Sequence, residues 1–145
     1  MNQHRIPYKW LSSYEGLDPE GQTDTVVMPL VHYQPQGDGH DIVTSLNIKN
    51  MSGRDIEVTV DWLPEVGETD IPSEEDFAIT DGSVGVVFMY NPRNNGEKWV
   101  GGAKVFVEDA IVGDMISVVV NQQKIGYTAD YFSSYDGLTV EAAAP

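Results

Sequence analysis

The chain has 145 residues, no cysteine, and 23 Asp and Glu against eight Lys and Arg, a formal charge of −15. That length predicts one domain able to bury a core without staples, and the missing thiols exclude disulfides and thiolate metal sites. So few basic residues leave little to displace counterions from phosphate, which argues against nucleic acid and an anionic membrane surface as partners.

The start, MNQHRIPYKW, has a basic residue and no apolar run behind it, so it does not read as a secretory signal. The longest apolar runs, VVMPLV and ISVVV, fall far short of a bilayer span. WLSSYEGL at 10–17 combines an aromatic, two hydroxyls and an acid–Gly turn, and it returns at 131–138 as YFSSYDGL. The first strand is predicted over Thr25–Tyr33. The next, Asp41–Asn50, places Val43, Ser45, Asn47 and Lys49 on one face and mainly Ile42, Leu46 and Ile48 on the other. Ile56–Leu63 alternates most cleanly: Ile56, Val58, Val60 and Trp62 face inward, and Glu57, Thr59 and Asp61 outward. The MSGRD turn between these two predicts a hairpin.

From Asp61 to Asp81 eight acids occur without one Lys or Arg, and two prolines interrupt the stretch. It reads as a long acidic loop over the surface, with one helical turn at PSEEDF capped by Ser73. Further strands follow at Val84–Tyr90, Lys98–Val107 and Met115–Asn121, with a short one at Lys124–Thr128. NPRNNG, with Pro at a corner and Asn-Gly where positive φ is easy, reads as a protruding loop that leaves Trp99 exposed beside it. Short strands between Gly, Asn and Asp turns predict an all-β fold: a single β-sandwich, Ig-like or jelly-roll in type, with extended termini and a long acidic loop. The sandwich is expected over 25–129, flanked by an N-terminal arm (1–24) and a C-terminal arm (130–145).

Catalytic chemistry finds little support. His4, His32 and His40 stand in no nucleophile-elbow or zinc-binding context, and GDGHDIV runs into a strand where a phosphate loop needs a helix. Asp70, Glu74, Glu75 and Asp76 supply hard oxygens suited to calcium, but without the alternating spacing of a helix–loop–helix site. The expectation is a solvated acidic loop, no metal, no cofactor and no enzyme. Solubility and tolerance of salt account for the acidity at large, and a cation or a basic partner is the sharper reading.

Two segments carry a resemblance. DIVTSLNIKNMSGRDIEVTVDWL (41–63) supplies Thr44, Ser45, Ile48, Asn50, Ser52, Val58, Thr59 and Val60; AKVFVEDAIVGDMISVVVN (103–121) supplies Val112, Gly113, Asp114, Ile116, Val118 and Val120. In these the chain resembles small β-sandwich virion proteins of tailed bacteriophages and archaeal viruses. The resemblance covers under half the chain and leaves out 1–24 and the acidic stretch 64–81. It implies a virion structural part, such as a capsid decoration, neck, tail or fibre component, assembled in the host cytoplasm and located in the particle. Its partners would be further copies of itself and other virion proteins.

On that reading the repeated phrases are docking arms. Aromatic anchors dominate binding hot spots, and the expected partner interface is Trp10, Tyr14, Leu17, Tyr131, Phe132, Tyr135 and Leu138. The competing expectation is that both phrases tuck onto their own sandwich as pseudo-symmetric neighbours. A second functional reading is a surface-binding module, in particular one for carbohydrate, that presents Trp62, Trp99 or Tyr90 to sugars with or without calcium.

Overall fold

A computed structural model describes residues 2–5, 10–13, 23–33, 42–67, 72, 74–89, 98–124 and 132–140. Among them every regular element is a strand: β1 (Asn2–Arg5), β2 (Trp10–Ser13), β3 (Thr25–Tyr33), β4 (Ile42–Asn50), β5 (Ile56–Pro64), β6 (Glu75–Ile79), β7 (Val84–Met89), β8 (Trp99–Val107), β9 (Ile116–Lys124), β10 (Phe132–Asp136) and β11 (Leu138–Thr139). A four-stranded sheet in the order β10-β9-β4-β7 packs on a five-stranded sheet in the order β11-β3-β8-β5-β6, and β1 and β2 form a separate hairpin. Every pairing is antiparallel. The protein is a single β-sandwich.

The two-residue period of a strand explains the core. Ile56, Val58, Val60 and Trp62 all turn inward from β5 and are at most 3% exposed. They meet Leu46 and Ile48 of β4, Val105 of β8 and Val118 and Val120 of β9, all buried. Thr44 and Asn50 also lie on the inner side of β4, and each is satisfied. The Thr44 hydroxyl donates to the His32 carbonyl (2.8 Å) and accepts from the His32 N–H (3.0 Å). Asn50 Nδ2 donates to the carbonyls of Ile79 (2.9 Å) and Arg54 (2.7 Å). Buried amides and hydroxyls need such partners, and here those partners tie one sheet to the other. Thr59 departs from the expected exposure. It faces outward from β5 yet is buried, because Asp76 of β6 (2.7 Å) and Glu108 both close on its hydroxyl.

Three expectations are corrected. The MSGRD turn does not close a hairpin. β4 lies between β9 and β7, and β5 lies between β8 and β6, so each already has two neighbours in its own sheet. The chain therefore arches from one sheet to the other, through Gly53 at φ +74°, where a residue with a Cβ would be strained. PSEEDF is not a helical turn within a loop. Glu75–Ile79 pairs with Ile56–Val60 as β6, with Ile79 buried and Phe77 packed against the core; the period-2 apolar pair outweighs the acids that suggested a helix start. Finally, residues 132–139, expected within the C-terminal arm, do not lie outside the sandwich: β10 pairs with β9 and β11 pairs with β3. Residues 125–128, expected as a short strand, lie outside the described residues, and Lys124 closes β9.

At the end of the sandwich that holds the MSGRD arch, the loop from Glu108 to Met115 is clasped by one ion pair. Arg54 donates through Nε to Asp114 Oδ1 (2.8 Å) and through Nη2 to Oδ2 (2.6 Å), while the Ile111 N–H donates to Oδ2 (2.8 Å). The guanidinium hydrogen bonds hold the Asp114 carboxyl below its ordinary range, against the opposing effect of its burial.

Candidate functional site

Among the described strands the negative charge is unevenly placed. Strands β4, β7 and β9, three of the four in one sheet, contain no Asp or Glu and carry Lys49 and Lys124. Acids instead crowd the other sheet, where Glu57, Asp61, Glu75 and Asp76 lie on β5 and β6 and Glu108 follows β8. Among the described strands the acids are therefore concentrated on the five-stranded sheet, and the four-stranded one carries only Asp136, on β10.

β7 borders the four-stranded sheet. Its sequence, VGVVFM, is apolar on both faces. Val87 and Met89 enter the core at 3% and 0% exposure, while Val84, Val86 and Phe88 face outward at 52%, 48% and 42%. Gly85 lies tight against β6, since a Cβ there would stand 2.4 Å from Phe77 Cε2. Across the outer face Val84, Val86 and Phe88 lie opposite Lys49, Asn47 and Ser45 of β4, and behind those come Ser117, Val119 and Asn121 of β9. Lys49 is anchored by donating to the Gly82 carbonyl, and Asn47 Nδ2 donates to the Val119 carbonyl (3.3 Å). Apart from Lys49 this face is made of uncharged side chains, with an apolar stripe along one margin.

That margin is also a sheet edge. Among the described residues β7 pairs with β4 alone, and alternate residues of an edge strand turn their N–H and C=O groups away from the sheet. Two of the other margins are treated differently. β6 carries Glu75 and Asp76, the charged guard that discourages strand addition, and β10 has β2 alongside it. β7 has no charge, no proline and no bulge in its register with β4.

The residues expected to form a docking surface are distributed otherwise. Trp10 lies in β2 and Phe132 in β10, whereas Tyr14, Leu17 and Tyr131 lie outside the described residues. Leu138 is in β11, paired with Val27 and 61% exposed. Tyr135 is half-buried against the core. Its hydroxyl donates to the Leu30 carbonyl and accepts from the Leu30 N–H (3.3 Å). Those two groups are displaced by an irregularity in the β3–β8 pairing between Met28 and Val31, where Pro29 lacks an N–H. Burial raises the Tyr135 phenol from its ordinary value near 10 to about 12.

The acid–Gly pair that follows makes a corner. The chain leaves one sheet at Asp136 and enters the other at Leu138, and the Gly137 N–H donates to the Val118 carbonyl (2.8 Å) on the way. A Cβ at Gly137 would stand 2.4 Å from Val26 Cγ1, so the passage between sheets requires glycine. The two copies of the phrase are neighbours in space: WLSS forms β2 and FSSYD forms β10, and the two strands lie together.

The aromatic platforms fare poorly. Trp62 and Trp99 are each 1% exposed and pack edge to face at 6.3 Å in the core. Trp99, expected on the surface, is drawn inward because β8 begins with it and alternates from there. Tyr90 lies outside the described residues, as does Asp70 of the expected calcium set. Asp76 of that set accepts from Thr59, and among the described residues no group of three His, Asp or Glu is placed to hold a metal ion. His32, half-buried in β3, is shifted below its ordinary value by burial and by Lys98. A cleft of about 440 Å³ beside the β3 irregularity has chiefly apolar walls, among them Val27, Leu30, Leu63, Val66 and Val100.

The stripe on β7 was not anticipated from the sequence, although VGVVFM is apolar on both faces. No helical pattern was available to cover the second face, and that was the signal. No protein-family model matches the chain, and no curated protein matches it. The fold is similar to that in the crystal structure of Thermotoga maritima 1070, with a TM-score of 0.63 at 11% identity, over 83% of this chain and 97% of that one.

Proposed function

We propose that the chain is a non-enzymatic structural protein of a virion, a capsid decoration, neck, tail or fibre component, working through subunit interfaces. The observation that carries this reading is the polarised sandwich: among the described strands, β4, β7 and β9 of one sheet hold no acid and end in the exposed valine-lined β7, while most of the strand carboxylates lie on the opposite sheet. A subunit seated on a particle needs one face that adheres and another that stays solvated. The resemblance of 41–63 and 103–121 to virion sandwiches supports the same reading. The sugar-binding alternative lacks its two tryptophan platforms, both being core residues.

The test is co-purification. A tagged chain supplied during virus production should sediment with intact particles through a density gradient, at a fixed number of copies per particle. Recovery only from the soluble fraction would overturn the reading.

A further inference from the structure

We infer that Asp81 is a site of spontaneous covalent modification: its side chain closes on the Gly82 nitrogen, and the peptide link becomes an isoaspartyl one. The chemistry belongs to the turn between β6 and β7 and does not depend on what the protein assembles with.

The residue after an aspartate governs this reaction, because a side chain there obstructs the approach of its backbone nitrogen to the carboxyl carbon. Among the described Asp and Asn residues only Asp81 and Asp136 precede a glycine; Asp38–Gly39 and Asn95–Gly96 lie outside the described residues. The fold treats the two described pairs in opposite ways. At Asp136 the Gly137 N–H donates to the Val118 carbonyl (2.8 Å), and a Cβ on that glycine would stand 2.4 Å from Val26 Cγ1. That nitrogen is engaged, and a five-membered ring has no space to form on it.

Asp81 and Gly82 are both exposed. They are the central residues of a tight turn closed by the Ser83 N–H, which donates to the Thr80 carbonyl (2.9 Å). Gly82, at φ +70°, holds the place that a type II turn keeps for glycine, and nothing lies within 4 Å of where its Cβ would be. Its N–H meets no acceptor among the described residues. The Asp81 N–H is held by Asp55 Oδ1 (2.9 Å), while the Asp81 carboxyl accepts from no described donor and can swing onto the Gly82 nitrogen.

The step needs no added reagent. The Gly82 nitrogen attacks Asp81 Cγ and a C–N bond forms; the carboxyl's hydroxyl leaves with the amide proton as one water. Water then adds back to the succinimide. Addition at the former side-chain carbonyl restores aspartate. Addition at the main-chain carbonyl routes the backbone through Cβ and Cγ and leaves the α-carboxylate free, with no change in composition. The extra methylene falls where the chain crosses from one sheet to the other. Two contacts follow it directly: the Gly82 carbonyl that anchors Lys49, and the Ser83 carbonyl that accepts the Asn50 N–H (3.0 Å).

The test is to age the purified chain near neutral pH at physiological temperature for several weeks. Isoaspartate is then mapped by proteolysis and electron-transfer fragmentation, with labelling by an isoaspartyl methyltransferase as a second readout. It should accumulate at 81 and lag at 136 by roughly tenfold or more, because the bonded and packed pair reacts only after local opening. In denaturant the two positions should react at similar rates, which assigns the difference to the fold. Asp81→Glu, whose longer side chain would have to close a six-membered ring, should remove the modification at 81 and leave 136 as it was. A folded chain with no isoaspartate at 81, or with equal amounts at 81 and 136, would overturn the inference. So would a difference of the same size that persists in denaturant, since local sequence would then be its cause.

Discussion

Tyr135→Phe separates a structural tyrosine from a docking anchor, and the structure sets the size of the effect. The phenol supplies both a donor and an acceptor to Leu30, whose N–H and C=O have left the ladder beside Pro29. A fully buried pair left unsatisfied would cost about 1–3 kcal/mol per group. Leu30 is 45% exposed, so water replaces much of what the hydroxyl gave, and about 1 kcal/mol is expected. For a chain of this length that lowers the melting temperature by roughly 2–4 °C.

The pH dependence gives a second handle. With the phenol raised to about 12 in the fold, the folded state holds that proton more tightly than the unfolded chain. The associated stability is complete below about pH 10, and it is lost as the pH climbs through 10 toward 12. Melts recorded from pH 8 to 12 by circular dichroism should show a steeper alkaline decline in the parent than in Tyr135→Phe. Sedimentation of both should give the same mass. A variant that melts with the parent at every pH but loses its assembly would show that Tyr135 docks on a partner, and the argument from Leu30 would fail.

Other substitutions probe other parts of the sandwich. Trp62→Ala should cost roughly 3–5 kcal/mol in chemical denaturation, whereas Trp62→Phe should cost far less, because it also removes an indole N–H buried without a partner. Gly101→Ala should destabilise by several kcal/mol, since its Cβ would stand 2.3 Å from the Leu63 carbonyl and 2.6 Å from the Trp99 ring; unaltered thermal unfolding would contradict this tight approach. Arg54 keeps the Asp114 carboxyl below its ordinary range, so stability present above about pH 4 should fall away on acidification. In Arg54→Met that acid-labile component should be missing from melts between pH 2 and 6.

Strands with both a clean alternation and a filled inner face were readable from the sequence. β3 occupies its expected span, β5 runs one residue longer, β8 starts one residue later, and the described parts of β4 and β7 fall within theirs. What escaped was decided by distant pairing. β6 opens with Glu-Asp and becomes a strand only against Ile56–Val60; β10 is made of Ser-Ser-Tyr between an aromatic and an acid, with no β-branched residue, and β9 holds it. The arch at MSGRD looked like a hairpin because a tight turn within one sheet and a crossing between sheets use the same residues. At the candidate site, the sequence placed weight on aromatic termini, whereas the exposed stripe belongs to valines in the middle of the chain, whose accessibility depends on which strand ends the sheet.

The pairing of β3 with β11 has a consequence for how the protein is made. β3 follows Asp24, yet at Val26 and Val27 its outer margin pairs with Leu138 and Thr139, and β4 is flanked by β9 along its whole length. A ribosome must therefore release everything from β3 through Thr139 before the earliest strands of the sandwich have all their neighbours. Until then Val26, Met28, Leu46 and Ile48 have no complete core to enter. Topologies so dominated by distant pairing fold on the millisecond-to-second scale. During that interval a nascent copy exposes unpaired apolar strands to every other nascent copy nearby, so synthesis at high local concentration puts folding in direct competition with aggregation.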